Sequence, residues 1–106
     1  MFTSTKSLKV YTAKPYQQLE TTSPYCQLIG DLSGYGERFW IQPVDWFDEE
    51  EQMCRFSQSH PDLVFEIHSD YEDGSTYIDF YKDGMTYRAQ TVVIFPDFDE
   101  SKLQQI

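Results

Sequence analysis

Asp83-Gly84 stands between two runs whose side chains alternate with period two, and this dipeptide restricts the fold more than any other local feature of the chain. Asp-Gly tolerates the two positive φ angles of a type I′ turn, whose twist suits a two-residue β-hairpin. Upstream, Ser75–Lys82 sets Ile78 and Phe80 opposite Tyr77, Asp79 and Tyr81. Downstream, Thr86–Phe95 reads as the returning strand and stops at Pro96, which has no amide hydrogen for a ladder. Further back, Asp62–His68 alternates Leu63, Phe65 and Ile67 with Val64, Glu66 and His68. Asp73-Gly74 supplies the turn between these runs. Together they predict a C-terminal three-strand antiparallel meander.

One helix is marked ahead of it. Asp45 is placed to cap, and Asp48 follows three residues on, an acidic analogue of the capping box. Asp48 to Glu51 put four negative charges in the first turns, where the helix dipole is positive. On a helical wheel Trp46, Phe47, Met53, Cys54 and Phe56 share about half the circumference, with Asp48, Glu51, Gln52 and Arg55 opposite. Trp46–Ser57 is therefore predicted helical. Ser7–Thr12 reads as a short strand, with Leu8 and Val10 on one side and Lys9 and Tyr11 on the other. Ala13–Pro24 reads as loop, and Tyr25–Gly30 and Glu37–Gln42 read as strands around a glycine-rich turn at Asp31–Gly36. The class is α+β: one domain over residues 1–106, an antiparallel sheet of about four to five strands, packed by one helix over a Phe65/Ile67/Ile78/Phe80 row.

Charge limits the partners. Twelve acids face two basic residues between Asp45 and Asp83, a formal −10 that equals the charge of the whole chain. Such a field repels nucleic acid and anionic membranes and attracts basic surfaces. An aromatic content of 17% excludes a disordered acidic tail, which lacks the apolar area to offset chain entropy. Cys26 and Cys54 form no disulfide framework, and the first residues carry no signal-peptide pattern, so the sequence reads as a cytoplasmic chain with two free thiols, a single Cys26–Cys54 bridge being the alternative that the sequence leaves open.

Motifs for chemistry are weak. His60, His68, Cys26 and Cys54 form no close ligand pair, so no metal is expected, and His68 reads as an exposed histidine. Asp70-x-Glu72-Asp73-Gly74 starts like a calcium loop, but Ser75 and Tyr81 stand where Gly and Glu are required. Gly30, Gly34 and Gly36 fit neither phosphate-binding glycine pattern. Neither a catalytic residue nor a cofactor is indicated.

Trp46, His60-Pro61-Asp62-Leu63-Val64-Phe65-Glu66, Tyr81-Lys82-Asp83-Gly84 and Phe95-Pro96-Asp97-Phe98-Asp99 resemble the ferredoxin-like domain of the YubB-like proteins of plasmids and phages. The resemblance covers about half the chain and departs at Ser69-Asp70-Tyr71-Glu72-Asp73, where the family looks Gly-Glu-rich. It implies ferredoxin-like topology and a mobile-element context, with no catalytic residue to carry over and no iron–sulfur cluster, which two cysteines alone do not ligate.

The functional expectation is a non-enzymatic protein-binding domain. Asp48, Glu49, Glu50, Glu51, Asp70, Glu72, Asp73 and Asp79 are the candidate carboxylates of one negative surface, with Tyr71 and Tyr81 as anchors. In its most specific form this is a phage or plasmid inhibitor. Its carboxylates imitate phosphates and block a host nucleic-acid-binding defence or DNA-processing protein. The partner is then a protein with a basic surface, with no direct nucleic acid and no membrane. An acidic accessory domain without a nucleic-acid-site partner is the alternative, and a small enzyme the third reading.

Overall fold

A computed structural model describes residues 3–20, 22–90 and 98–105. Its strands are β1 (Ser4–Thr12), β2 (Leu63–Tyr71), β3 (Thr76–Lys82), β4 (Met85–Gln90) and β5 (Gln104–Gln105), in one sheet with sequential order and antiparallel neighbours throughout. Three helices lie between β1 and β2: α1 (Ser23–Ser33), α2 (Arg38–Ile41) and α3 (Glu49–Gln58). The α+β class and the β2–β3–β4 meander agree with the sequence pattern. The described strands do not show a ferredoxin-like order, because each one neighbours its successor.

The Asp83-Gly84 turn forms as the alternation requires, with φ of 50° and 78°, and Lys82 pairs with Met85 across it. Glycine has a second reason to stand there. A Cβ on Gly84 would lie 2.5 Å from Nε2 of Gln58, and the Gly84 amide donates to Ser57 Oγ at 2.9 Å. The hairpin tip is thus fastened to the end of α3. Pairing is described from Tyr77–Gln90 to Lys82–Met85; the rest of the predicted Thr86–Phe95 strand, residues 91–95, lies outside the described residues.

Two predicted strands are helices. Tyr25–Gly30 lies inside α1, which carries Pro at its start and ends at Gly34 in the left-handed region (φ 85°), whose amide donates to the Asp31 carbonyl. Proline at the first turn and glycine after the last are the helix-end signals, and a short apolar run alone does not separate strand from helix. Glu37–Gln42 contains the single turn α2, which buries Phe39 edge-on to Trp40 and Trp46 at 4.5 and 4.9 Å. The third helix starts later than expected. Asp48, not Asp45, is the N-cap and makes no side-chain cap bond, so Trp46 and Phe47 precede α3.

All three helices cover one face of the sheet. The main core joins Val10, Phe65, Ile67 and Tyr81 from the strands to Ile29, Phe39, Val44, Trp46, Met53 and Cys54. The predicted Phe65/Ile67/Ile78/Phe80 row is split. Phe65 pairs with Tyr81 and Ile67 with Asp79, so Ile78 and Phe80 face the other side. A register shift of one residue moves every side chain of a strand to the opposite face. Phe80 is nonetheless fully buried, stacked on Tyr87 at 4.7 Å and beside Phe98 at 5.6 Å.

Candidate functional site

Under the start of α3 the apolar core gives way to charge. Period two in β1 turns Lys6 to the same face as Leu8 and Val10, and Lys6 is 5% exposed. Its ammonium donates to Glu49 Oε1 and to Ser69 Oγ, both at 2.8 Å. Glu49 is the first residue of α3, and its Oε2 accepts a hydrogen bond from the Tyr81 hydroxyl. Asp79 on β3 lies close enough to Glu49 for the two carboxyls to act on each other. Arg88 on β4 grips Asp79 from the far side, Nε to Oδ1 at 2.7 Å and Nη2 to Oδ2 at 3.1 Å. The Arg88 guanidinium lies 4.7 Å from the centre of the Tyr77 ring, which meets Tyr71 edge-on at 5.6 Å. Two cations and two carboxylates from β1, α3, β3 and β4 form one chain of contacts. No buried side-chain nitrogen or oxygen among the described residues lacks a partner, as the cost of burying an unpaired polar group requires.

The two carboxyls differ in their protons. Burial pushes Glu49 up, but the Lys6 ammonium and hydrogen bonds from Asp79, Lys6 and Tyr81 hold it below the ordinary glutamate value. Burial and then the Glu49 charge act on Asp79 against the Arg88 contact, and Asp79 is pushed up to about 7. Asp79 is therefore the proton donor of the pair. Burial, with the Glu49 and Asp79 charges, holds the Tyr81 hydroxyl well above its usual range. The Asp79 contact stabilises the Arg88 cation and raises its pKa.

This cluster forms the floor of a cleft of about 690 Å³ whose lining also includes Asp45, Phe47, Glu50, Tyr71 and Gln104. Phe47, expected on the apolar side of the helix, is 92% exposed. It sits in the turn before α3, where its ring has left the helix stripe.

The ten expected surface residues separate into groups. Glu49, Asp79 and Tyr81 are buried at 7%, 4% and 1% exposure and are corrected from docking groups to interior ones. Their burial follows from the register of β3 and from the position of Glu49 one turn before Met53 on the same helix face. Asp48, at the N-cap, and Glu50, on α3, are exposed. Glu51 is exposed too, but Arg55 one turn on holds it at 2.7 Å. Tyr71 lines the cleft, and Glu72 and Asp73 are exposed in the adjoining β2–β3 turn. Asp70 points to the other face of the sheet and bonds Thr76 Oγ1 at 2.8 Å. The site residues missed by sequence reasoning are Lys6, Arg88 and Phe47.

The remaining chemistry-bearing groups serve the fold. Cys26 and Cys54 are free thiols, and burial, with Glu50 nearby, pushes Cys54 up to about 11, which leaves it unreactive at neutral pH. His68, expected to be exposed, is half-buried and paired with Glu66. His60 packs against Phe56, Tyr25 and Phe65. Among the described residues no group of three or more His, Cys, Asp or Glu is arranged to hold a metal ion, and no helix is long and apolar enough to cross a membrane. The chain matches no family model, no curated protein and no solved structure.

Proposed function

We propose that this chain is a non-enzymatic protein-binding domain whose exposed carboxylates engage the basic, nucleic-acid-binding surface of a partner. The observation that carries the reading is Phe47, 92% exposed between Asp45 and Asp48 and close to Glu50. None of these three carboxylates has an ion-pair partner among the described residues. A bare aromatic ring among unpaired charges offers contact area together with electrostatic steering. Glu72 and Asp73 extend the same end of the molecule, since Thr3 bonds Glu72 while its neighbour Ser4 bridges to Val44. The carboxylates stand in for phosphates, and the domain acts by competition. With the YubB-like resemblance this suits an inhibitor carried by a phage or plasmid.

A small enzyme is the second reading, favoured by an aspartate pushed up to about 7 beside a second carboxyl in a cleft. Binding is preferred because both carboxyls are already occupied by Lys6, Tyr81 and Arg88. A substrate would have to break that network to reach either of them.

The test is capture of a partner from a host lysate, followed by competition with duplex DNA. The reading expects a nucleic-acid-binding protein, displacement by DNA, weaker binding at higher salt, and slower association for Asp48→Lys and Glu50→Lys. An acidic partner, or one that binds DNA and this domain together, would overturn it.

A further inference from the structure

We propose that the cleft beside α3 is a receptor for one arginine side chain of the partner, an inference that rests on the protein-binding function above. Six charged groups line the cleft: Lys6, Asp45, Glu49, Glu50, Asp79 and Arg88. Four of them contact one another, Lys6 with Glu49 at 2.8 Å and Arg88 with Asp79 at 2.7 Å, and together carry a net charge between zero and +1, set by the proton on Asp79. The two that remain, Asp45 and Glu50, are both negative, both exposed and without an ion pair among the described residues. These two carboxylates outweigh the network's charge in either protonation state of Asp79, so the cleft presents net negative charge on its exposed residues.

The walls beside those carboxylates are aromatic. Phe47 lies between Asp45 and Glu50 in sequence and is 92% exposed, and Tyr71 lines the same cleft. A cation with a flat face suits such walls. A guanidinium stacks on a ring while its N–H fork reaches a carboxylate, whereas an ammonium is a compact, strongly hydrated point charge. Arg88, which lines the cleft, already makes such an arrangement, 4.7 Å from the neighbouring Tyr77 ring and forked onto Asp79. The incoming arginine repeats it at the mouth, with Phe47 or Tyr71 as the ring and Asp45 and Glu50 as the acceptors. An anionic ligand fits less well. Asp79 occupies Nε and Nη2 of Arg88, and the chain carries a formal −10.

The experiment titrates the intact chain with hexa-arginine amide and with its neutral hexa-citrulline isostere, reading the ring resonances of Phe47 and Tyr71 by NMR. Hexa-arginine should shift both rings and the isostere neither. Phe47→Ala, and Asp45→Asn with Glu50→Gln, should each weaken binding about five- to tenfold. These residues are exposed, so a circular dichroism spectrum should show the fold intact. Glu72→Gln with Asp73→Asn, in the nearby β2–β3 turn, should weaken it less than twofold. Binding that survives the cleft variants but fails in the turn variant overturns the cleft assignment and leaves the basic-partner function standing. No binding of hexa-arginine to the wild-type chain overturns both. Saturable shifts of Arg88 and Tyr71 with inorganic phosphate, and none with hexa-arginine, would make the cleft an anion site and overturn the proposal.

Discussion

Replacing Glu49 with alanine tests whether this acid belongs to the interior or to the surface. The Lys6 ammonium would keep Ser69 Oγ but lose its carboxylate, and the Tyr81 hydroxyl would lose its acceptor. Lys6 and Tyr81 are 5% and 1% exposed, so water does not replace what is lost. Removing one partner of a buried ion pair costs about 3–5 kcal/mol, against a total stability of about 5–15 kcal/mol for a domain. Glu50, the next residue, is exposed and unpaired, and Glu50→Ala should stay within about 0.5 kcal/mol of wild type. Urea unfolding at pH 7 measures both, with the slope of the transition checking that the unfolded state is unchanged. A third variant separates charge from packing. Lys6→Met with Glu49→Leu removes both charges together, and apolar replacement of a buried pair is often neutral, so the double variant should recover most of the loss. The reasoning is refuted if Glu49→Ala costs under 1 kcal/mol, or if the double variant is no more stable than Glu49→Ala.

Asp79 should make stability fall with rising pH. Its folded pKa is raised from 3.8 to about 7, so between these values the folded state holds a proton that the unfolded chain has released. From pH 5 to pH 8 the unfolding free energy should drop by on the order of 2–3 kcal/mol, and Asp79→Asn should flatten the curve; a wild-type profile level over that range would contradict the assignment. Glu49 has the opposite sign, and the support from its lowered pKa is lost only as the pH falls below its unfolded value. Phe80→Ala should cost about 3–5 kcal/mol in the same assay, since the ring is fully buried against Tyr87 and Phe98; a loss well under 1 kcal/mol would place Phe80 toward solvent.

The turn at Asp83-Gly84 was legible because its chemistry is local: two residues with positive φ between two alternating runs. The other end of β3 was not. Register there depends on how the chain closes from Tyr71 to Ser75, where the Tyr71 amide bonds the Ser75 carbonyl at 2.9 Å. Alternation alone names two faces without saying which one the helices cover. The first helix was signalled by Pro24 and Gly34, but these residues also suit a loop and a turn. The ionic floor left a trace at two separate places. Lys6 shares the parity of Leu8 and Val10, and Glu49 lies on the helix face of Met53. A cation and an anion each aimed at the core are the mark of a buried pair, but only the tertiary structure brings them together. In a run of four acids, Glu49 looked like its neighbours.

The strand order also carries a kinetic consequence. Tight turns join β2 to β3 and β3 to β4, whereas Lys6 on β1 meets Ser69 on β2 across a sequence separation of 63 residues. Closing so long a loop loses chain entropy before any contact offsets it, so pairings of this range form slowly. The β2–β3–β4 hairpins have no such wait, and β1 is the strand that arrives late. Until it does, Glu49 has no ammonium opposite it, and the acidic stretch from Asp45 to Asp83 is at its most repulsive in the steps just before the native state is reached.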